Sequence, residues 1–292
     1  MAIHFSKYEA LGNDFIVIDE SQDQNLGKEP TLDSSLRQRL CHRKLGIGAD
    51  GVITLLPPMT KNGSVFMHVT NSDGSVPENC GNGLRCVARF WSDSGRILGS
   101  NLFTIDTLSG PKQARVDGDF IKVELGRARI KLDLESEQIV QACASFARKF
   151  DVVAPAVVAY VDLGNYHLVI ECDAIDVAQK ELGPKLEKLD IFPHGVNVSF
   201  VRKESANCVA LRTWERGAGA TDACGSGAGA SVASFIATGR IESESVAARF
   251  RNGVVSVDIN RLAPLEYDVS LSGSAQKLFD GAWDNRVIIS AI

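Results

Sequence analysis

A cysteine phrase occurs twice in this chain: Cys80-Gly81-Asn82-Gly83 returns, about half the chain length later, as Cys224-Gly225-Ser226-Gly227. A second echo precedes it in each half. Leu11-Gly12-Asn13-Asp14-Phe15-Ile16-Val17-Ile18-Asp19 is matched by Leu163-Gly164-Asn165-Tyr166-His167-Leu168-Val169-Ile170-Glu171, so the same motifs run in the same order twice. A period this long does not suit a solenoid, whose repeats of roughly 20–50 residues stack on their neighbours. It predicts a duplicated domain whose halves face each other, each bringing one cysteine loop to a shared cleft. Glycine-rich turns recur in any large domain, but chance recurrence does not explain two motifs in matched order.

Composition excludes several classes. With 45% hydrophobic and 23% charged residues in 292 positions, the chain is an ordinary globular one, long enough for two domains of roughly 100–200 residues. A net charge of −5 with scattered Lys and Arg offers nucleic acid no basic footprint. No apolar run approaches the ~20 residues needed to cross a bilayer, and Met1-Ala2-Ile3-His4-Phe5-Ser6-Lys7 lacks the regions of a signal peptide, so no membrane partner is expected and the cytoplasm is the expected compartment. Seven cysteines, an odd number, make a poor disulfide framework in a reducing compartment. Cys80 and Cys86 lack the spacing of a zinc site, and no metal is expected.

Short β-rich runs bounded by Gly, Asn, Asp or Pro predict strands near residues 4–8, 15–19, 52–56, 65–69, 102–106 and 120–125, then 157–162, 167–170, 196–201, 208–213 and 254–257. Helical spacing predicts helices over 34–41, 81–94, 176–181 and 225–238. A last strand, 286–290, is expected to return to the first half. The hinge is expected at Leu125 to Arg129 with Gly126 as pivot. That places one domain over 1–126, with the C-terminal strand 280–292, and the other over 127–279.

The two loops carry the chemistry. In each, cysteine stands at the first turn of an expected helix, where backbone N–H groups lack intrahelical partners and the positive end of the helix dipole favours a thiolate. Glycine on both sides of Asn82 and Ser226 leaves the amides uncovered, so a carboxylate can approach them. Two such thiols about one small anion could work as a pair. One takes the proton from a carbon bearing ammonium and carboxylate, the other returns a proton to the opposite face, and the configuration inverts. No PLP lysine or metal motif accompanies the loops, so no cofactor is expected and backbone donors must stabilise the developing enediolate.

These residues resemble a known family. Asn71-Ser72-Asp73-Gly74-Ser75 through Cys80-Gly81-Asn82-Gly83-Leu84-Arg85-Cys86, with Glu215-Arg216-Gly217-Ala218-Gly219-Ala220-Thr221-Asp222-Ala223-Cys224-Gly225-Ser226-Gly227, look like diaminopimelate epimerase, as does Lys7-Tyr8-Glu9-Ala10-Leu11-Gly12-Asn13-Asp14-Phe15. The resemblance implies an α+β fold of two pseudo-symmetric, duplicated domains, each a mostly antiparallel sheet wrapped around a central helix. It implies a cofactor-independent two-base isomerase interconverting LL- and meso-2,6-diaminopimelate, on the way to lysine and peptidoglycan, and a homodimer. Position by position, it makes Cys80 and Cys224 the acid/base thiols, with His167 and Glu215 assisting. Gly81, Asn82, Gly225 and Ser226 supply donors to the carboxylate at the reacting centre, and Asn13 and Asn165 contact substrate. Asn71, Asn197 and Arg216 grip the distal amino acid end, with Glu215 also touching substrate. A guanidinium suits that grip, since it binds carboxylate through two parallel charge-assisted bonds.

Bland readings stand beside these. Arg216 could pair with Asp73 or Asp222, His167 could be a satisfied core histidine, Glu215 a solvated turn carboxylate, and Gly-Asn is common turn chemistry. Two departures from the family pattern are Tyr166, where members usually carry proline, and Gly51, where some carry glutamine. Tyrosine is expected to loosen the loop presenting Asn165 and His167. The alternatives are a racemase of another amino acid on the same fold, which Asn71, Asn197 and Arg216 disfavour, and a non-catalytic amino acid or nucleotide binding module. The latter lacks a complete Gly-x-Gly-x-x-Gly loop.

Overall fold

β-Branched and aromatic runs punctuated by glycine, asparagine and proline make most of this chain strand. The structure, a computed structural model, describes residues 2–23, 27, 29–97, 101–134 and 136–284. It divides into two units, Met1–Ile121 with Ser274–Ile292, and Lys122–Gly273. Both divisions lie a few residues before the boundaries expected from the sequence.

In chain order the first unit carries β1 (Ala2–Ala10), β2 (Asn13–Asp19), α1 (Ser34–Cys41), β3 (Gly51–Leu56), β4 (Val65–Asn71), α2 (Gly81–Asp93), β5 (Leu102–Thr107) and β6 (Gly110–Asp117). The second carries β7 (Phe120–Lys131), whose first two residues belong to the first unit, α3 (Glu137–Phe150), β8 (Ala156–Asp162), β9 (Tyr166–Glu171), α4 (Ile175–Glu181) and α5 (Gly183–Leu186). It continues with β10 (Asn197–Ser205), β11 (Cys208–Glu215), β12 (Gly219–Thr221), α6 (Gly225–Ala237), β13 (Ser245–Arg249), β14 (Val254–Ala263) and β15 (Glu266–Gly273). Strand β16 (Gln276–Asp284) belongs to the first unit again.

The duplication is written in the strand order. The first unit runs β16-β1-β2-β3-β4-β5-β6 and the second β7-β8-β9-β10-β11-β13-β14-β15. In the first, β2–β3 and β4–β5 are parallel and the pairs β16–β1, β1–β2, β3–β4 and β5–β6 antiparallel. In the second, β9–β10 and β11–β13 are parallel and the pairs β7–β8, β8–β9, β10–β11, β13–β14 and β14–β15 antiparallel. Parallel neighbours need a crossover, and each crossover carries a helix: α1 answers to α4 and α5, and α2 to α6. Both units are thus mostly antiparallel, as the sequence implies.

In the second unit β15 also pairs with β7, which closes the sheet. Helix α6 packs against β8, β9, β10, β11, β13, β14 and β15, and every residue from Gly225 to Phe235 is buried. Its glycine, alanine and serine content lets it fit there. A Cβ on Gly229 would come within 2.8 Å of Val269 and 3.0 Å of Leu163. In the first unit α2 packs against β1, β2, β4, β6 and β16. Strand β3 is buried throughout because Val52 joins the cluster with Leu40 of α1, while Ile53 reaches Gly83 of α2.

Four differences from the sequence reading stand out. Leu125 to Arg129, the expected hinge, lies inside continuous β7, with Gly126 at φ 116°. Helix α3 and strands β6, β12, β13 and β15 were not expected, while β16 starts four residues ahead of the expected C-terminal strand 280–292 and returns to the first unit as expected. Helix α5 extends the expected 176–181 helical region as a separate turn. The expected strand 286–290 lies outside the described residues. Among the described residues no helix is long and apolar enough to cross a membrane.

Candidate active site

Each unit gathers its motif residues at one end of its sheet. In the first, Asn13 opens β2, Gly51 opens β3, Asn71 ends β4 and Cys80 caps α2, and parallel pairing sets Phe15 beside Gly51 while antiparallel pairing sets Gly51 opposite Asn71. In the second, His167 follows the first residue of β9, Asn197 opens β10, Glu215 ends β11 and Cys224 caps α6, with His167 and Asn197 in register. Two half-sites therefore share one plan.

The cysteines take the N-cap position, with extended backbone at Cys80 (φ −147°, ψ 99°) and Cys224 (φ −127°, ψ 108°). In each, the thiol sulfur accepts the N–H three residues on, Gly83 to Cys80 and Gly227 to Cys224, at 3.3 Å. An N-cap serine or aspartate does the same with oxygen, and here the orphan amide of the first turn leans on sulfur. Cys80 is partly exposed, and Cys224 is buried. Burial and the adjacent Glu215 carboxylate, hydrogen-bonded to the thiol, push the Cys224 thiol well above its usual range, although Ser226 and the Gly227 amide pull the other way.

Asn165, His167 and Ser226 form a neutral triangle beside Cys224. Asn165 Nδ2 donates to Ser226 Oγ at 3.1 Å, and His167 Nε2 lies 3.2 Å from Asn165 Oδ1 and 3.1 Å from Ser226 Oγ, with the Cys224 sulfur 3.5 Å from the same hydroxyl. His167 is fully buried, and burial pulls it down to about 3, so its ring is neutral. Its Nδ1 has no partner among the described residues. It is therefore not a fully satisfied core histidine. The tautomer with the proton on Nε2 donates to Asn165 Oδ1 and leaves only a lone pair unmet at Nδ1, which avoids burying an unpaired N–H.

In the first unit the corresponding positions are charged at the edges. Asn13 Nδ2 donates to Asp50 Oδ2 at 2.8 Å, Asn82 Nδ2 donates to Asn13 Oδ1 at 3.1 Å, and Arg85 Nη2 donates to Asn82 Oδ1 at 2.8 Å. Asp50 and Arg85 carry no mark as site residues in the sequence reading. Their neighbourhood, Gly48-Ala49-Asp50-Gly51 before a strand and Arg85 in the turn after Cys80, was the available signal.

Glu215 and Arg216 end β11 in a clamped turn. Thr221 Oγ1 donates to Glu215 Oε1 at 2.5 Å, and the Arg216 N–H donates to Asn197 Oδ1 at 3.0 Å. Glu187 accepts from Trp214 Nε1 at 2.7 Å and from the Gly217 N–H at 3.2 Å, bracketing the same dipeptide. Glu215 is half-buried with partners rather than a solvated turn carboxylate. Arg216 is exposed and donates through Nη1 to the His194 carbonyl at 3.0 Å. Asp222, in the same unit, lies 3.8 Å from Arg251 instead. Asn71 spends its amide on Ser75 Oγ at 2.9 Å within the turn after β4.

The two departures have local explanations. The Tyr166 ring stacks on Tyr160 at 5.4 Å, which stacks on Phe192 at 5.7 Å, and Asn197 Nδ2 donates to the Tyr166 carbonyl at 3.0 Å. Ring stacking and this bond hold the segment that lacks proline, contrary to the expected loosening. At Gly51 an added Cβ would sit 3.0 Å from the Thr70 carbonyl and 3.3 Å from the Phe15 ring, so a side chain there needs its neighbours to move.

Comparison with known proteins agrees with this plan. The family model for diaminopimelate epimerase matches residues 5–131 and 159–277. A diaminopimelate epimerase of Nostoc punctiforme is 35% identical over 291 residues, covering 96% of this chain and 99% of the relative, and one of Desulforudis audaxviator is 36% identical over 292 residues with the same coverage. Among solved structures, a hydroxyproline epimerase from Agrobacterium vitis aligns with a TM-score of 0.72 at 14% identity, over 96% of this chain and 90% of that one, which shows a shared fold. Paired N-capping thiols on a duplicated sheet, matched along nearly the whole chain to these relatives, place the chain in the diaminopimelate epimerase family.

Proposed function

We propose that this protein is a cofactor-independent isomerase that interconverts LL- and meso-2,6-diaminopimelate by two-base proton transfer, supplying lysine and peptidoglycan precursors. The observation that carries the reading is the pair of N-cap cysteines whose sulfurs each accept a first-turn amide at 3.3 Å. Cys80 and Cys224 are the acid/base thiols: the thiolate of one takes the α-proton and the thiol of the other returns a proton to the opposite face. Such chemistry asks that both loops address one carbon. Amides of Gly81, Asn82, Gly225 and Ser226 stabilise charge on the substrate carboxylate as the α-carbon is deprotonated, which replaces an electron sink.

His167 acts as a neutral hydrogen-bonding group beside Ser226, and Glu215 holds the Cys224 proton. Asn13 and Asn165 orient substrate with the loops. Arg216, whose guanidinium has no carboxylate partner among the described residues, grips the distal carboxylate with Asn71 and Asn197. A homodimer in the cytoplasm completes the reading, and sedimentation velocity tests the dimer.

The deciding experiment is α-proton exchange of LL- and meso-diaminopimelate in D₂O, followed by NMR with reductant and no added PLP or metal, for wild type, Cys80→Ala and Cys224→Ala. Exchange with inversion in wild type, and loss of inversion in both folded variants, is the expected result. Absence of exchange in folded, reduced wild type, with exchange of proline or another amino acid instead, would transfer the chain to a different racemase on this fold.

A further inference from the structure

We infer that Arg85 and Asp50 are positioning residues of the first cysteine loop, the two charged ends of a hydrogen-bond relay that sets which way the Asn82 and Asn13 amides point. This rests on the reading of that loop as part of the active site.

The relay runs Arg85 to Asn82 to Asn13 to Asp50, with donor to acceptor distances of 2.8, 3.1 and 2.8 Å. A carboxamide turned by 180° exchanges its donor for its acceptor, so two linked amides have alternatives that differ little in shape. The ends remove the choice. A guanidinium donates and never accepts, so the Asn82 atom facing Arg85 must be oxygen. An ionised carboxylate accepts and never donates, so the Asn13 atom facing Asp50 must be nitrogen. Each amide then presents the complementary atom to the other, and the middle bond falls out with the right polarity.

Both ends are anchored in a way that suits this task. Arg85 is fully buried on α2, and its other contacts are backbone carbonyls of Ser274 at 3.3 Å and Gly81 at 3.4 Å. Burial pulls its guanidinium down to about 10, which leaves it charged near neutrality. Asp50 Oδ2 also accepts the Asp14 N–H at 3.1 Å, and Oδ1 accepts from Arg43 at 2.6 Å, so the oxygen facing Asn13 is held by backbone. Counted from the twin motifs, the second unit has Gly229 where the first has Arg85 and Val196 where it has Asp50. There the matching amide of Asn165 is oriented by Ser226 and His167 instead. The charged bracket belongs to one half only.

Either end alone suffices to bias the relay, because each forbids the reversed chain. The effects of removing the two ends should therefore be strongly non-additive, unlike those of independent contacts. Because the Asp14 N–H would hold the oxygen of an asparagine at the same place, the acceptor end is removed with alanine. In Arg85→Gln and Asp50→Ala taken singly, kcat/KM for diaminopimelate falls less than tenfold each. In the double variant it falls at least tenfold beyond the product of the singles, and Arg85→Lys with Asp50→Ala, which restores a donor-only end, regains most of that loss. Multiplicative single effects in a double variant that melts as cooperatively as wild type would overturn the inference, as would a lysine that rescues no better than glutamine. Asparagine-selective ¹⁵N spectra of the wild type supply a readout that does not depend on the double variant folding. The Asn13 and Asn82 side-chain NH₂ protons should exchange slowly with water, and exchange as fast as that of surface asparagines would overturn it equally. Wild-type protein that fails to epimerise diaminopimelate would instead count against the functional reading, and the NMR result would still decide the relay.

Discussion

At the scale of single residues, the two thiols share geometry and differ in surroundings. Cys224 is 4% exposed, with Glu215 beside it, and both burial and that carboxylate favour its protonated form. Cys80 is partly exposed, and the buried Arg85 guanidinium is among its electrostatic neighbours. At pH 7.5, iodoacetamide should therefore modify Cys80 at least tenfold faster than Cys224, read by peptide mass spectrometry. Equal rates would mean that burial and charge do not distinguish the loops. His167 gives a second prediction. Its native value of about 3 lies below the ~6.5 of an unfolded histidine, so between those values the unfolded chain binds the extra proton. The stability contributed by neutral His167 is complete above about pH 6.5 and is lost as pH falls toward 3, by about 1.4 kcal/mol per unit. Urea unfolding of wild type and His167→Gln should show their stability difference shift by about 2 kcal/mol against wild type from pH 7 to pH 5. An unchanged difference would place a proton on His167 in the native state.

At the scale of elements, the first turns of α2 and α6 need glycine at their third position to different degrees. A Cβ on Gly83 would meet the Cys80 sulfur and Ile53 Cδ1 at 3.3 Å, whereas one on Gly227 would meet Thr213 Oγ1 at 2.7 Å and Ser199 Oγ at 3.0 Å. Those two hydroxyls are buried and 3.3 Å apart, so neither swings away readily. Alanine gains up to about 1 kcal/mol over glycine inside a helix, while overpacking costs about 1–3 kcal/mol. Gly227→Ala should thus lower the melting temperature and cut turnover more than tenfold, with Gly83→Ala near neutral in stability. A reversed order in thermal melts would refute the packing argument. The same elements show what was legible in the chain. N-cap cysteines and the glycines around them act through local geometry, so the motif alone reveals them. The Asp50–Asn13 contact instead depends on the register that sets Phe15 beside Gly51, which local spacing does not contain. Helix α3 was readable and missed: Ser136 caps it, and Ile139, Cys143 and Phe146 form its buried stripe. In β15 the alternation of buried Tyr267, Val269 and Leu271 was an equally plain period-two signal, lost in a polar-looking stretch.

At the scale of the molecule, duplication of a strand order does not make the two units equal in autonomy. The second unit is one uninterrupted segment, Lys122–Gly273, and its sheet closes through β15 against β7 around buried α6. Closure leaves its strands partnered and its core complete, which is what an independently folding domain requires. The first unit depends on a strand from the far end of the chain: β16 pairs with β1 along most of its length, Phe279 packs edge-on against Phe5 at 6.1 Å, and Gly281 lies under the Phe5 ring. Without β16, β1 keeps β2 on one side but loses its partner on the other, and Phe5 loses its contacts with Phe279 and Gly281. A fragment spanning residues 120–273 should therefore unfold cooperatively in urea and give a dispersed ¹H–¹⁵N spectrum, while a fragment of residues 1–121 should do neither. Adding a peptide of residues 274–292 to the latter should restore a cooperative transition, because the missing strand supplies the β1 pairing and the cover over Phe5. Cooperative folding of 1–121 alone would mean that β16 is an addition to a finished sheet. A disordered 120–273 fragment would mean that closure through β15 does not suffice to hold the second unit together.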